Sequence, residues 1–508
     1  MEDIYKVALQ TLQKNKQALV FVSTRASAEK TAETIAKLTE KNLPELENSI
    51  LKAASTPTKQ CKKLSKCVRK GIAFHHAGLL QKQKTLIEDN FRNGTIKIIC
   101  ATPTLAAGLS LPAYRVLVRS LKRYSGRWGM DWIPVLEYLQ MAGRAGRPEY
   151  ESEGEAITFA KNEIEKQEIY ERYICGEPED IYSKLAVEPV LRTYLLSLIS
   201  SGIIRNEKSM YEFFNKTFWA FQFQDMPKLQ QIMEKMLHLL NDWQLILLTN
   251  TKQDDFSPAN TMNNNEQKMR PTLLGKRVSE LYLDPLTARH LLDSLKNFDE
   301  TKNSFSLLQM ISNTLEMRPL LRVKVREQEK INEGLMKHYD MLLKPEPSSF
   351  DIDYDDFFNS IKTALFFDAW INEKNEEFLL ETYGVRPGEI RVKIEAANWL
   401  LYAAHELADI MDYKHAQRMI KKLRIQVRNG VKEELLPLLK LKGVGRVRAR
   451  KLYLHGIKDL GSIKKADITT LLQLVGKAIA VSIKQQVGEE VKEIPKGTRK
   501  GQLSLEKY

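Results

Sequence analysis

QALVFVSTRASAEKTAETIAKL, residues Gln17–Leu38, joins a short apolar run ending in Ser-Thr to a segment with helical spacing. A strand feeding a helix in this way is half of a βαβ unit. The rhythm recurs. GIAFHHAG (Gly71–Gly78) precedes the helical QKQKTLIEDNFRNG, and IKIICATP (Ile96–Pro103) precedes TLAAG. Repeated strand-helix alternation predicts an α/β domain with a parallel sheet and functional loops at the carboxyl ends of its strands. Ser23-Thr24-Arg25, His75-His76-Ala77-Gly78, Thr102-Pro103-Thr104 and the nonapeptide QMAGRAGRP (Gln140–Pro148) all fall at such ends.

Past about residue 165 the strand signals thin out and helical patterns take over. EPVLRTYLLSLISSGII and EKSMYEFFNKTF read as helix, Ser-Gly turn, helix; with NDWQLILLTN and LLGKRVSELYL they fit a winged-helix unit. Between those pieces TKQDDFSPANTMNNNEQKMRP (Thr251–Pro271) is polar and aperiodic, and reads as a mobile loop. From about 298 to 430 the pattern is helical almost throughout. LKPEPSSF and YGVRPGEI interrupt it.

A chain of 508 residues is long enough for three or four packed units. Its 43% hydrophobic content is ordinary, and no apolar run approaches the ~20 residues of a membrane span, so no membrane partner is expected. No signal or transit pattern opens the sequence. Four cysteines, Cys61, Cys67, Cys100 and Cys175, point to a reducing interior, hence a cytoplasmic, nucleoid-associated location in a prokaryote or a nuclear one in a eukaryote. Cys61 and Cys67 precede His75 and His76, but their spacing is wider than zinc sites use and the histidines are adjacent, so no metal site is expected. The net charge of +14 favours a polyanionic partner. It concentrates late, in MIKKLRIQVRNGVK and KGVGRVRARKLYLHGIK, whereas DIDYDD (Asp351–Asp356) is acidic.

In QMAGRAGRP the glycines let backbone approach a ligand, and Arg144 and Arg147 supply planar donors suited to phosphate oxygens. A guanidinium on a transferring phosphoryl group is worth on the order of 10³ to 10⁵ in rate. The bland alternative is a basic surface loop. Thr102 and Thr104 offer hydroxyls to a strand phosphate, and Gly108 allows a nucleotide close. VLVRSLKRYSGRWGMDWIPVLEY (Val116–Tyr138) carries a hairpin signal with Tyr124 and Trp128 near its tip. In PGEIRVKIEAANWLLYAAHELADIM (Pro387–Met411), Ile390, Ile394, Ala397, Leu401, Ala404 and Ala408 share one face, which should be buried. Trp399 points away from it, and either packs under a neighbouring element or offers a platform for a base. LLPLLKLKGVGRVRARKLYLHGI reads as a helix-hairpin-helix. Gly443 and Gly445 permit a turn whose N–H groups converge on a phosphate, with Arg446, Arg448 and Arg450 around it; a helical hairpin for protein contact is the other reading. The tail, 491–508, reads as flexible. Gln502, Leu505 and Tyr508 in it are similar to the peptides that dock on sliding clamps, although one aromatic is missing.

ALVFVSTRASAE, AFHHAGL, ATPTLAAGLSLPA and EYLQMAGRAGRP, in this order, resemble motifs IV, IVa, V and VI of superfamily-two helicases of the Ski type. From there on the chain resembles the archaeal Hel-three-oh-eight and eukaryotic HELQ group of DNA repair helicases. The resemblance implies a second RecA-like domain (1–165), a winged helix (166–297), a helical ratchet domain (298–430) and a helix-hairpin-helix domain (431–490). It also implies an ATP-dependent 3′-to-5′ DNA helicase. Arg144, Arg147 and Gln140 would complete the nucleotide site, and Arg25, Thr102 and Thr104 would meet the strand. Tyr124 and Trp128 would tip a duplex-splitting wedge unless that hairpin only packs on a neighbour. Trp399 would ratchet bases with Arg391 or Lys393 beside it. The family's phosphate loop and magnesium-holding acidic box have no counterpart here; the nearest strings, LLGKRVS and LVGKAIA, lack the first glycine and the hydroxyl. The expectation is therefore a half-motor, inactive alone, whose ATP and Mg²⁺ are gripped by a separately encoded first RecA-like domain and whose substrate is single-stranded and forked DNA. A non-catalytic nucleic-acid-binding remnant and a Ski-type RNA helicase are the competing readings.

Overall fold

The computed structural model describes residues 2–54, 57–108, 111–124, 130–146, 153–250 and 267–489. The chain divides into two compact units, Met1–Tyr182 with Glu376–Val392, and Ser183–Asn375 with Lys393–Tyr508.

In the first unit, strands β1 (Ala18–Phe21), β2 (Ile72–His75), β3 (Ile98–Ala101), β4 (Arg115–Val118) and β7 (Glu155–Thr158) form a parallel sheet in the order β2-β3-β1-β4-β7. The first four are buried along their whole length. That is why they read as unbroken apolar runs: helices cover both faces of such a sheet. Polar groups inside are paired. The buried Gln17 amide donates to the carbonyls of Phe91 and Ile96, at 2.7 Å each. Arg115, also buried, lies opposite Glu155 in the β4–β7 register and holds its carboxylate at 2.6 Å. Thr24 caps helix Arg25–Ala36 by accepting from the Ser27 N–H. Cys61, Cys67 and Cys100 are buried in this unit, and burial pushes the Cys67 and Cys100 thiols up. Between β4 and β7, β5 (Lys122–Tyr124) and β6 (Met130–Trp132) pair antiparallel, as the hairpin signal predicts.

The second unit is mostly helical. Helices Glu188–Ser200, Glu207–Phe214 and Met226–Asp242 precede β8 (Ile246–Asn250), which pairs antiparallel with β9 (Gln267–Pro271). The end of the segment expected to be a mobile loop is thus a strand, seated through the buried Met269; residues 251–266 lie outside the described residues. Gly275 of LLGKRVS lies in the first turn of helix Leu273–Glu280, against Leu245 just before β8. A Cβ there would fall 1.8 Å from the Leu245 carbonyl oxygen, so this glycine serves close packing. Helices Ser304–Ser312, Tyr354–Ile371, Pro387–Ile410 and Lys414–Asn429 follow. The Trp370 indole donates to the Val427 carbonyl at 2.7 Å, and its ring abuts Gly430, whose left-handed backbone (φ 64°) ends the last helix. A separate core of Leu435, Leu438, Ala449, Leu452, Ile463, Leu471 and Ile483 holds the C-terminal helices together. No helix among the described residues is long and apolar enough to cross a membrane.

Candidate nucleotide and nucleic-acid site

The loops at the carboxyl ends of β1, β2, β3 and β4 border a cleft of about 670 Å³. Thr24, Arg25, Thr102, Thr104, Arg123 and Gln140 line it. The hydroxyls of Thr102 and Thr104 lie 3.0 Å apart, and the exposed Gln140 reaches the same space from helix Val135–Ala142. Proline at the N-cap of that helix brings no side-chain cap; Glu179 supplies it, accepting from the N–H groups of Val135 (2.6 Å) and Leu136 (3.2 Å). Those bonds, the Val135 one first, hold the Glu179 carboxyl below its ordinary range. Arg25 forms an ion pair with Glu389, and Arg119 donates to Ser27 and Thr31, at 3.2 and 2.9 Å. The polar lining of the cleft is a set of hydroxyls, an amide, Lys122 and the two paired guanidiniums of Arg25 and Arg123, beside the apolar Ile133, Pro134 and Leu136, and its hydroxyls and cations suit phosphate oxygens. Among the described residues its single lining carboxylate, Glu137, is held by Arg123 at 3.1 Å and so is unsuited to carrying Mg²⁺.

The arginine loop is built against this wall. The Arg144 guanidinium donates to the carbonyl of Ala106, in the short helix Thr104–Gly108, so the arginine loop and the threonine loop are joined directly. The Arg144 carbonyl accepts from the Ala113 N–H (2.9 Å), and the Gly146 N–H donates back to the Ala113 carbonyl (2.8 Å). Gly146 sits at φ 93°, and Gly154 lies against its backbone: a Cβ on Gly154 would fall 2.2 Å from the Gly146 nitrogen. Sequence reading passed over Gly154. Gly108 ends its helix, and Arg147 lies outside the described residues. The structure thus groups Gln140 with Arg25, Thr102 and Thr104, while Arg144 braces the loop behind them.

The two histidines are internal. His75 meets Glu88 at 2.9 Å. His76 accepts the Gly78 N–H at Nδ1 (3.1 Å), which leaves its proton on Nε2, 3.4 Å from Glu29. Glu29 also receives Arg386. Burial lowers the His76 pKa despite Glu29. At the base of the β5–β6 hairpin, Lys122 lies over the Trp132 ring at 3.9 Å, and the Tyr173 hydroxyl donates to Ile133 at 2.6 Å. Trp128 and the side chain of Tyr124 lie outside the described residues, as do Gln502, Leu505 and Tyr508.

On helix Pro387–Ile410 the predicted stripe is buried at Ile390, Ala397, Leu401, Ala404 and Ala408, and half-buried at Ile394. Trp399 is half-buried, and its indole N–H donates to the Leu281 carbonyl at 3.1 Å, so it packs under a neighbouring element. Arg391 is exposed. Lys393 is committed: its ammonium donates to the carbonyls of Met317 and Pro319, both at 2.6 Å, and burial pushes its pKa down to about 8. In the C-terminal hairpin Gly443 has φ 87°, and Gly445 faces open space at the start of helix Arg446–Leu454. The expected triad of cations around it is reduced. Arg450 is spent on Glu373 and Glu434, and Arg446 lies over the Trp370 ring at 4.9 Å, leaving Arg448 at the turn with a bond to Gly443. A second hairpin follows: in LVGKAIA, Gly476 (φ 84°) joins helices Ile468–Val475 and Lys477–Gln486.

Family models match three stretches: Helicase conserved C-terminal domain over residues 1–149, Archaeal helicase, domain 4 over 305–430, and SAM-like Helix-hairpin-helix tandem over 435–489. The chain is 38% identical over 503 residues to the ATP-dependent DNA helicase Hel308 of Pyrococcus horikoshii, and equally to that of Pyrococcus abyssi, covering 97% of this chain and 67% of each relative. Against the Hel308 of Methanocella arvoryzae it is 36% identical over 511 residues, 98% of this chain and 66% of the relative. The chain thus spans about two thirds of the length of the curated relatives it matches. Likeness of that extent, over a parallel-sheet domain and a helix-hairpin-helix tandem, places the chain in the Hel308 family of DNA helicases.

Proposed function

We propose that these residues are the second motor domain and the strand-handling domains of an ATP-dependent 3′-to-5′ DNA helicase acting in repair and replication-fork processing. The observation that carries the reading is the cleft that gathers Arg25, Thr102, Thr104 and Gln140 at the strand ends and is tied through Ala106 to the Arg144 loop. Arg144 braces that loop so that Arg147 can reach the terminal phosphate of ATP, stabilising charge that develops in the transition state. The threonine hydroxyls hold the DNA backbone; the helices of 166–297 form a winged helix, Trp399 works within the ratchet bundle, and the Gly443–Gly445 turn grips phosphate. Residues 1–508 contain no phosphate loop, so hydrolysis draws on a first RecA-like domain that also holds Mg²⁺.

The test is to mix the chain with a first RecA-like domain polypeptide and follow ATP hydrolysis with and without single-stranded DNA or RNA. Stimulation by DNA that needs both polypeptides, and that falls at least 100-fold in Arg147→Ala, is the expected result. Full turnover by this chain alone would overturn the shared-site account, and stimulation by RNA in place of DNA would overturn the substrate.

A further inference from the structure

Helix Lys414–Asn429 carries its free charge along one line. Lys414, Arg418, Lys421, Ile425 and Arg428 recur at intervals of four, three, four and three residues. At 100° per residue they fall within about 80° of one another, along about 21 Å of axis. All five are exposed, while Ala416, Ile420, Leu423 and Val427 on the other side are buried in the bundle. The neighbouring cations are occupied: Arg424 donates to Asn398 and lies over the Tyr402 ring, and Lys422 pairs with Glu433. Lys414 has Asp412 at 3.5 Å. For Arg418, Lys421 and Arg428 there is no ion pair among the described residues. Arg418 and Lys421, one turn apart, repel one another, Arg428 extends the same line two turns on, and a row of anions would reverse that cost.

We propose that this stripe is a binding site for the phosphate backbone of duplex DNA, separate from the strand-end cleft and from the Gly443–Gly445 turn. Its chemistry selects the ligand. Insertion into a membrane is excluded because the apolar face that would insert is already buried in the bundle. Single-strand sites join a cationic groove to aromatic platforms, and the stripe is a convex helix face with no aromatic on it. What remains is a rigid, straight row of cations with one aliphatic side chain among them, which reads backbone charge and no base. The site shares with the proposed function only the premise that the chain binds DNA. It needs neither ATP nor a second polypeptide.

The experiment measures binding of the whole chain to a labelled blunt duplex of about 20 base pairs and to one of its strands, by fluorescence anisotropy, across roughly 50 to 200 mM salt. In the triple variant Arg418→Gln, Lys421→Gln, Arg428→Gln, duplex affinity falls on the order of 100-fold at low salt, and the slope of log K against log salt shrinks by about 2 to 3, one unit per lost phosphate contact. Single-strand affinity changes less than about threefold, because that ligand is held elsewhere. Arg418→Lys with Arg428→Lys keeps the slope, which separates lost charge from lost fold. Unchanged duplex binding and slope in the triple variant overturn the proposal, as would be expected of a solvated face or a site for an acidic protein. Equal loss on duplex and single strand overturns it too.

Discussion

Arg386 and Glu29, 357 positions apart in the chain, meet with Nε 3.3 Å from Oε1, on a carboxylate that also faces the buried His76. Burial pushes the Glu29 pKa up, but the bond from His76 and the charge of Arg386 outweigh it and hold the group below its ordinary range. Beside this cluster the Gly388 N–H donates to the Gly78 carbonyl, so the start of the long helix is fastened to the loop after β2. Removing the carboxylate strands a half-buried guanidinium. Glu29→Ala should cost about 2 to 4 kcal/mol in the unfolding transition of the first unit. A double-mutant cycle with Arg386→Met should show coupling of at least about 1 kcal/mol; additivity within ~0.5 kcal/mol would mean the pair is idle.

Gly154 should not tolerate a side chain. In Gly154→Ala the new methyl meets backbone at 2.2 and 2.4 Å, which no rotamer relieves. The arginine loop must move, with a loss of roughly 2 kcal/mol or more. Gly94→Ala is the comparison: φ is 78° with nothing within 4 Å, so it should cost only about 1 kcal/mol. Chemical denaturation of the two variants checks the difference, and equal losses would contradict the close approach.

His290 makes the second unit acid-sensitive. Burial, reinforced by Lys344, pushes its pKa from 6.5 to about 4, and its Nε2 lies 3.0 Å from the Met310 carbonyl. A depressed value in the folded state means the unfolded chain takes up the proton first as pH falls. The neutral-histidine contribution is therefore complete above 6.5 and is lost on the way down to about 4. Over that window the wild type should lose roughly 3 kcal/mol more than His290→Gln. Parallel stability curves for the two proteins between these limits would count against it.

Trp399 separates packing from stacking. Trp399→Phe keeps a ring and removes the bond to Leu281, at a cost of about 1 kcal/mol in stability. If the residue stacks a base, Trp399→Ala weakens single-strand binding by a further 1 to 3 kcal/mol or so, and Phe does not. Equal weakening by Phe and Ala would instead make the tryptophan a positioning residue.

Strands β1, β2 and β3 were readable because each is buried along its length, and their carboxyl ends located the cleft before any geometry, whereas β7, with no buried residue, gave no such signal. Charge partners were not readable, since nothing local announces that Arg450 faces Glu373 or that Glu29 faces Arg386. The same holds for β9, five residues with one buried methionine, too short a pattern to tell from a polar loop. Gly275 and Gly476 sit in strings that look like damaged phosphate loops; only their surroundings show one packing on the Leu245 backbone and the other turning a hairpin. Gly154 was invisible for a similar reason, its role being set by a neighbour eight positions back.

The first compact unit is discontinuous, because Glu376–Val392 belongs with Met1–Tyr182. On a ribosome adding about 5 to 20 residues per second, the chain waits roughly 10 to 45 seconds between finishing the sheet and making Arg386. Throughout that interval Glu29 has His76 and Gln60 but no Arg386, and the loop at Gly78 has no Gly388. A nascent chain halted before residue 376 would hold every strand of the sheet and still be an unfinished domain, open to proteases and to holding chaperones at the place where the long helix later fastens.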